Sequence, residues 1–176
     1  MINYVAYLSG PNESPPNASP GTGFAEVVLD TTAHTMSVMA TFSGLIGTTT
    51  ASHIHCCTAV AGTSTAGVAT TTPNFPGFPL GVTSGSYSQS FDMTSASSYN
   101  PAYVTANGGT TAGAEAALFA GIAAGKAYFN IHSSVVTGGE IRGFLEPAPV
   151  PEPATLLLLT SGMIALAAGR RRASAA

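Results

Sequence analysis

The chain has 176 residues, of which 45% are hydrophobic and only 7% are charged, and its net charge is −3. This composition argues against a disordered chain, because disorder requires low hydrophobicity together with high net charge. Up to Glu146 two basic residues stand against seven acidic ones. No basic patch is therefore available to neutralise phosphates, and the sequence argues against nucleic-acid binding.

The body of the chain consists of short strand-like segments separated by Gly, Pro, Asn or Ser, which is typical of an all-β domain. The clearest alternation runs over residues 34–42, where Met36, Val38, Ala40 and Phe42 share one face. Further strands are predicted at residues 24–30, 86–93, 126–132 and 140–145, the last two joined by a turn at Gly138-Gly139.

Two segments depart from this pattern. Residues 114–124 are rich in alanine and place Leu118 and Ile122 at helical spacing, with Gly125 at a C-cap position. Residues 62–85 are rich in Gly, Thr and Pro, which predicts an exposed loop. The sequence as a whole predicts an antiparallel β-sandwich, immunoglobulin-like or superoxide-dismutase-like, with one short inserted helix.

The C-terminal segment has a different composition. A proline-rich stretch, EPAPVPEP, begins at Glu146 and is followed by the uncharged, apolar residues 154–169. As a helix the apolar segment would be about 24 Å long, which is close to the thickness of a bilayer core. We predict a domain at 1–146, a linker at 147–153, a transmembrane helix at 154–169 and a cytoplasmic basic tail at 170–176.

The order of these C-terminal parts resembles the PEP-CTERM sorting signal of Gram-negative bacteria. The residues that carry the resemblance are Val150, Pro151, Glu152 and Pro153, then the apolar segment, then Arg170, Arg171 and Arg172. The resemblance implies export, processing by an exosortase-type enzyme, at least transient anchoring in the inner membrane, and association with exopolysaccharide or other biofilm-matrix components at the cell surface. The N-terminus has no signal peptide, so we expect the export signal to be missing from this chain.

The body resembles a second family, the CHRD domain first described in chordin. Three regions carry this resemblance: YLSG at 7–10 with NESPP at 12–16, ASHIH at 51–55, and GKAYFNIH at 125–132 with GGEIRG at 138–143. They occur in the right order over about 140 residues. The family implies no established catalytic activity, and the growth-factor binding of chordin belongs to an animal context.

His53 and His55 are the strongest candidates for chemistry. Residues i and i+2 of a strand point to the same face about 6.5–7 Å apart, so two imidazoles can converge on one ion. The closing CHRD-like signature makes His132 a plausible neighbour, and three histidines suit copper or zinc. The alternative is that these histidines only form hydrogen bonds between strands. His34, at the start of its strand, is predicted to be a surface residue.

Cys56 and Cys57 follow His55 directly, and their state is left open by the sequence. They could form a disulfide with each other, intermolecular bridges, or two free thiols. In an extended strand Cys57 would share the face of the two histidines and could be a further metal ligand.

Glu140 and Arg142 form an i, i+2 pair, and Arg142 is one of two cations in the body. We predict a structural ion pair between them, which Asn130 could join. The other acidic residues are scattered, so no acid–base couple is evident. The sequence therefore predicts an exported, non-enzymatic cell-surface or matrix protein. The alternative is a copper- or zinc-binding or redox module, and a polysaccharide hydrolase ranks last because it needs two facing carboxylates.

Overall fold

The computed structural model describes residues 1–149, which form eight strands and two α-helices. The elements in chain order are β1 (Ile2–Ser9), β2 (Thr22–Asp30), β3 (Thr35–Ser43), β4 (Thr49–His55), β5 (Gly85–Asp92), α1 (Pro101–Ala106), α2 (Thr111–Ala123), β6 (Tyr128–Ser133), β7 (Ile141–Phe144) and β8 (Glu146–Pro147). One-turn 3₁₀ helices follow β1 at Gly10–Asn12 and β5 at Ala96–Ser98.

All strand pairs are antiparallel, in the order β4-β6-β7-β1-β2-β3-β5, with β8 paired to the start of β1. β1 joins the two halves of this sheet. It pairs with β2 along its whole length, but it meets β7 at a single residue pair, Ser9 and Arg142. Gly143 lies against the carbonyl oxygen of Tyr7 at this junction, where a Cβ atom would overlap it. The absence of a side chain at Gly143 therefore lets the sheet curl here.

The core lies inside the curl and is closed by an aromatic side chain from the long β4–β5 connection. Phe75 is fully buried, and its ring packs against Tyr87 and Phe91 of β5 and against Phe129 of β6. Burial of such a side chain contributes roughly 1.5–3 kcal/mol. The connection was predicted to be an exposed loop, and this is wrong for Phe75. The low-complexity composition around Phe75 gave no sign that it is a core residue. Its ring packs against strands from both halves of the sheet.

The all-β, antiparallel part of the prediction is confirmed, and the strands lie within about two residues of the predicted bounds. The predicted helix is α2, which contributes Leu118 and Ile122 to the core. The predicted sandwich is not what the structure shows: the strands form one continuous curled sheet, because β1 pairs on both of its edges.

Helix α1 was not predicted, although its signal is in the sequence. Asn100 caps it by accepting a hydrogen bond from the amide of Ala102, and Pro101 takes the first helical position. Neither helix of residues 1–149 is long and apolar enough to cross a bilayer. The transmembrane helix predicted at 154–169 lies outside the described residues.

Candidate metal centre

The outer face of the β4-β6-β7 half of the sheet carries a group of polar side chains. His53 pairs with Asn130, which pairs in turn with Arg142, while His55 pairs with Tyr128 and Ala51 with His132. Directly opposed residues share a face of the sheet. The alternate residues on these strands, Ile54, Phe129, Ile131 and Ile141, are fully buried and face the core. The three histidines are thus gathered on the outer face by the period-2 pattern of β4 and β6.

Loops cover this outer face, so the histidines are shielded from solvent despite lying outside the sheet. His53 and His55 are only 6% and 8% exposed, and His132 is half-buried. The ring centroids lie 5.4 Å (His53 and His132), 5.7 Å (His53 and His55) and 5.9 Å (His55 and His132) apart. One ring nitrogen from each lies within 4.8 Å of the other two. The juxtaposition of His132 with the His53–His55 pair, which the sequence predicted, is present.

Each imidazole uses one nitrogen to bond a loop carbonyl. His53 Nε2 lies 2.6 Å from the oxygen of Pro73, His55 Nδ1 lies 2.9 Å from that of Ala66, and His132 Nδ1 lies 2.9 Å from that of Thr137. A carbonyl can only accept, so each of these nitrogens donates its hydrogen. The bonds therefore fix the tautomer of all three rings and leave the other nitrogen of each with a free lone pair.

The remaining nitrogens are His53 Nδ1, His55 Nε2 and His132 Nε2. All three are buried, and none has a hydrogen-bond partner within residues 1–149. A buried polar atom without a partner costs about 1–3 kcal/mol, and three in one place are unusual in a folded protein. A pattern in which one histidine nitrogen donates to a carbonyl while the other is free is the usual support of a metal-bound imidazole.

The electrostatics keep these imidazoles neutral. Burial is the main cause that lowers the pKa of all three, and it outweighs the hydrogen bonds to carbonyls, which raise it. His55 has its pKa lowered to about 4, with further contributions from His132, His53 and Arg142. Neutral imidazole is the form that binds a metal, so the site needs no deprotonation at neutral pH.

A three-nitrogen donor set of this kind suits zinc or copper. Zn–N bonds of 2.0–2.1 Å in a tetrahedral site place the ligand nitrogens about 3.4 Å apart. Nitrogens that lie up to 4.8 Å apart therefore have to close by at most about 1.4 Å, which small χ rotations of the rings can supply. Three protein ligands also leave a fourth coordination position for water or another ligand.

Cys57 is not part of this cluster. Its sulfur is bonded to that of Cys56, and it lies 3.8 Å from the hydroxyl of Tyr103 and from the carbonyl oxygen of Ala117 in α2. The sequence argument placed Cys57 on the histidine face by continuing the strand alternation. β4 ends at His55, so the alternation no longer applies at Cys57, and a sulfur held in a disulfide is not a thiolate ligand.

The ion pair predicted between Glu140 and Arg142 is not found in the described part of the chain. Glu140 precedes β7 and turns inward, where Oε1 accepts hydrogen bonds from the Ser19 hydroxyl and the Ile46 amide, both at 2.6 Å, and Oε2 accepts from the Gly47 amide at 3.2 Å. Burial alone would raise the pKa of Glu140, but these bonds and one from Ser133 hold it below its usual range.

Arg142 has a different carboxylate partner, Glu13, whose Oε2 lies 3.8 Å from Arg142 Nε. The guanidinium also donates to the carbonyl oxygens of Asn12 and Ser64, at 2.6 Å and 3.0 Å. It lies 4.7 Å from the centroid of the Tyr128 ring, which is the ring that stacks on His55 at 4.8 Å. Arg142 thus links the N-terminal segment to the histidine cluster through two stacked rings.

Glu13 is the residue of this region that sequence reasoning missed. Burial raises its pKa to about 7, although Arg142 and the amide of Ser14 act to lower it. It was counted among the scattered carboxylates because nothing local pairs it, although it lies within the NESPP motif at 12–16. Asn130 lies beside Arg142 in the sheet register, as expected, but no hydrogen bond joins their side chains within residues 1–149.

His34 lies apart from the three other histidines, in the turn before β3. Its side chain is 52% exposed, and Nδ1 lies 2.9 Å from a carboxylate oxygen of Glu115 in α2. It is therefore a strand-end surface residue, as predicted. The sorting-motif residues Val150, Pro151, Glu152, Pro153, Arg170, Arg171 and Arg172 lie outside the described residues.

The fold and the site together define a curled antiparallel β domain with a buried cluster of three histidines on one outer face. The family model of the CHRD domain matches residues 4–145, so the chain belongs to the CHRD-domain family. The model of the PEP-CTERM protein-sorting motif matches residues 149–172. This motif implies processing by exosortase-type machinery and fits an exported protein that is sorted through the membrane. No curated protein and no solved structure matches the chain.

Proposed function

We propose that this protein acts outside the cell, at the cell surface or in the extracellular matrix, and that its CHRD domain binds one zinc or copper ion through His53, His55 and His132. The observation that carries the metal proposal is that the three imidazoles bring one ring nitrogen each within 4.8 Å of the other two, and that each ring has a buried nitrogen with no hydrogen-bond partner within residues 1–149. A bound ion would satisfy all three lone pairs at once. Mg²⁺ and Ca²⁺ prefer oxygen ligands, so three imidazoles favour a transition metal.

The proposed location rests on the sorting motif. Exosortase-type processing follows export and passes through a membrane-anchored stage, so the first expected partners are the processing enzyme and the inner membrane. At the final location the expected partners are exopolysaccharide or other matrix proteins. A chain with 40 Ser and Thr residues and few charges suits contact with neutral polymers.

We further propose that the domain binds rather than catalyses. Its two most buried carboxylates, Glu13 and Glu140, are engaged with Arg142 and with the Ser19 hydroxyl respectively. This arrangement supports a structural use of both carboxylates.

The test is the metal content of the full chain, expressed without a histidine tag, stripped with chelator and then equilibrated with Zn²⁺ or Cu²⁺. We expect close to one ion per chain by elemental analysis, and less than a tenth of that in His132→Ala. His34→Ala is the matched control, because it removes a histidine outside the cluster and should bind as the wild type does. A folded wild-type chain that takes up neither ion would refute the metal proposal.

A further inference from the structure

The outer face of the β1-β2-β3-β5 half of the sheet carries a small apolar patch. Tyr7, Phe24 and Met39 alternate with core residues of β1, β2 and β3 and are 72%, 36% and 52% exposed. Tyr7 and Phe24 are direct partners in the sheet register, and the centroids of their rings lie 5.4 Å apart. Single exposed apolar side chains are ordinary, but a contiguous group marks a surface that contacts another molecule.

Two shallow depressions, of about 290 Å³ and 430 Å³, flank Phe24 on this face. Phe24 and Thr41 line both, so the depressions adjoin, and we call them together the outer groove. Met39 lines the first depression. The other outward side chains of the groove are exposed hydroxyls, from Thr22, Ser43, Ser86 and Ser88. The outer groove thus combines an aromatic ring and a thioether with five hydroxyl groups.

The charge of the walls restricts what the outer groove can hold. No charged side chain of residues 1–149 lines either depression. Glu26 lies beside the groove, opposite Met39 in the register, and its carboxylate accepts a hydrogen bond from Asn3 Nδ2 at 2.6 Å. Neutral walls offer no counter-charge to an ionic ligand, and Glu26 repels an anion. The occupant that fits these walls is therefore uncharged.

The mixture of apolar and hydroxyl groups distinguishes between two kinds of neutral occupant. A stable protein interface buries about 800 Å² on each partner around an apolar core. The apolar side chains of this face lie among hydroxyls and do not form such a core. A sugar ring has C–H faces that pack against an aromatic ring, and its rim of hydroxyls exchanges hydrogen bonds with Ser and Thr.

We propose that the outer groove binds a neutral polysaccharide, with one sugar ring against Phe24 and a hydrogen bond from its hydroxyls to Thr41. Side chains two residues apart on a strand are about 6.5–7 Å apart, so the depressions on the two sides of Phe24 accept neighbouring units of one sugar chain. This inference rests on the proposed location outside the cell, and it names the surface and the chemical class of the matrix partner. The three histidines lie on the other half of the sheet, so the groove does not require the metal.

The experiment follows isotope-labelled methionine methyl groups by NMR in the full chain. Met39 lines the groove, whereas Met36 and Met93 are fully buried and serve as internal references. The probes are cellohexaose, maltohexaose, laminarihexaose and dextran, and alginate is the acidic polymer for comparison. We expect at least one neutral glycan to shift the Met39 signal saturably, with a dissociation constant on the order of millimolar, and to leave Met36 and Met93 unmoved.

Two variants test the groove residues. Phe24→Ser should weaken binding by about tenfold or more, because it removes the aromatic surface. Thr41→Val keeps the branched shape but removes the hydroxyl, and it should weaken binding about threefold. Val135→Ser is the matched control, since Val135 is 61% exposed in the turn after β6 and lies outside both depressions. Unchanged Met36 and Met93 signals verify that each variant is folded.

The inference is overturned if no neutral glycan moves the Met39 signal, if only alginate does, or if Phe24→Ser binds as tightly as Val135→Ser. It is also overturned if the Met39 signal changes with protein concentration in the absence of glycan, because a second copy of the chain would then occupy the groove. His132→Ala, which tests the metal centre, should bind glycan as the wild type does. Cell fractionation tests the proposed location separately, so failure of either proposal is distinguishable from failure of the groove.

Discussion

Glu140 offers the sharpest test of how this fold is held together. It is fully buried, and it fastens two separate segments to the start of β7 by accepting hydrogen bonds from Ser19 in one and from the adjacent Ile46 and Gly47 in the other. We expect Glu140→Gln to lower the free energy of unfolding substantially at pH 7. The amide oxygen can replace Oε1, but the amide NH₂ would then face the Gly47 N–H, donor against donor.

The magnitude follows from these bonds. Hydrogen bonds to a charged group contribute about 1.5–3 kcal/mol each, against about 1 kcal/mol for neutral ones. The substitution would weaken two bonds and remove the third, so we expect a loss of about 2–4 kcal/mol. For a domain of this size such a loss lowers the melting temperature by roughly 5–15 °C.

The loss should depend on pH in a defined direction. The pKa of Glu140 is lowered in the folded chain, so its stabilising effect is present above the unfolded pKa and disappears as the pH falls through the folded pKa. Protonated Glu140 resembles glutamine, so the difference between wild type and variant should shrink steadily below about pH 4.5.

The assay is urea unfolding followed by circular dichroism at several pH values between 2.5 and 7. Glu146→Gln is the matched control, since Glu146 is an exposed carboxylate of the same chain and should change stability by less than about 0.5 kcal/mol. A Glu140→Gln chain as stable as the control at pH 7, or a deficit that is unchanged at pH 2.5, would refute the reasoning.

Three further predictions concern other parts of the domain. Zn²⁺ at about 100 times its dissociation constant should raise the free energy of unfolding of the wild type by roughly 2.7 kcal/mol and leave that of His132→Ala unchanged. Equal stabilisation of both chains would show that the ion binds elsewhere. Gly121→Ala should cost about 1–3 kcal/mol in denaturant unfolding, because its methyl group would overlap both sulfurs of the disulfide; a gain in stability would contradict this contact. Burial raises the pKa of Glu13 to about 7, so folding favours its neutral form. The free energy of unfolding of the wild type should therefore fall by on the order of 3 kcal/mol, relative to that of Glu13→Gln, as the pH rises from about 4 to 8. Urea-unfolding stabilities of the two chains that run parallel over this pH range would contradict this.

The local features of the fold were predictable because they follow from short-range patterns. The alternation over 34–42 gave the buried face of β3, including Met36 and Val38, and the spacing of Leu118 and Ile122 gave the core face of α2. The shared face of His53 and His55 follows from the same period of two. That His132 lies near this pair could be predicted only from the closing signature of the family, because the strand period says nothing about residues so far apart in the sequence.

Features that depend on long-range pairing were not predictable. Nothing local indicates that β1 pairs with both β2 and β7, which makes one curled sheet rather than two. The same applies to Arg142, whose carboxylate partner is Glu13 rather than Glu140, two residues away. The alternation rule also failed for Cys57, because it was extended past the point where β4 ends.

The position of the three histidines in the sequence bears on where the ion would be acquired. His53 and His55 meet His132 only when β4 pairs with β6, and each ring is oriented by a carbonyl from a loop that the folded sheet holds in place. An unfolded chain has no preassembled site, so its affinity for the metal arises together with its tertiary structure. A chain that crosses a membrane unfolded would bring no ion with it. The metal bound at the three histidines would instead depend on which metals are present in the compartment where the chain folds.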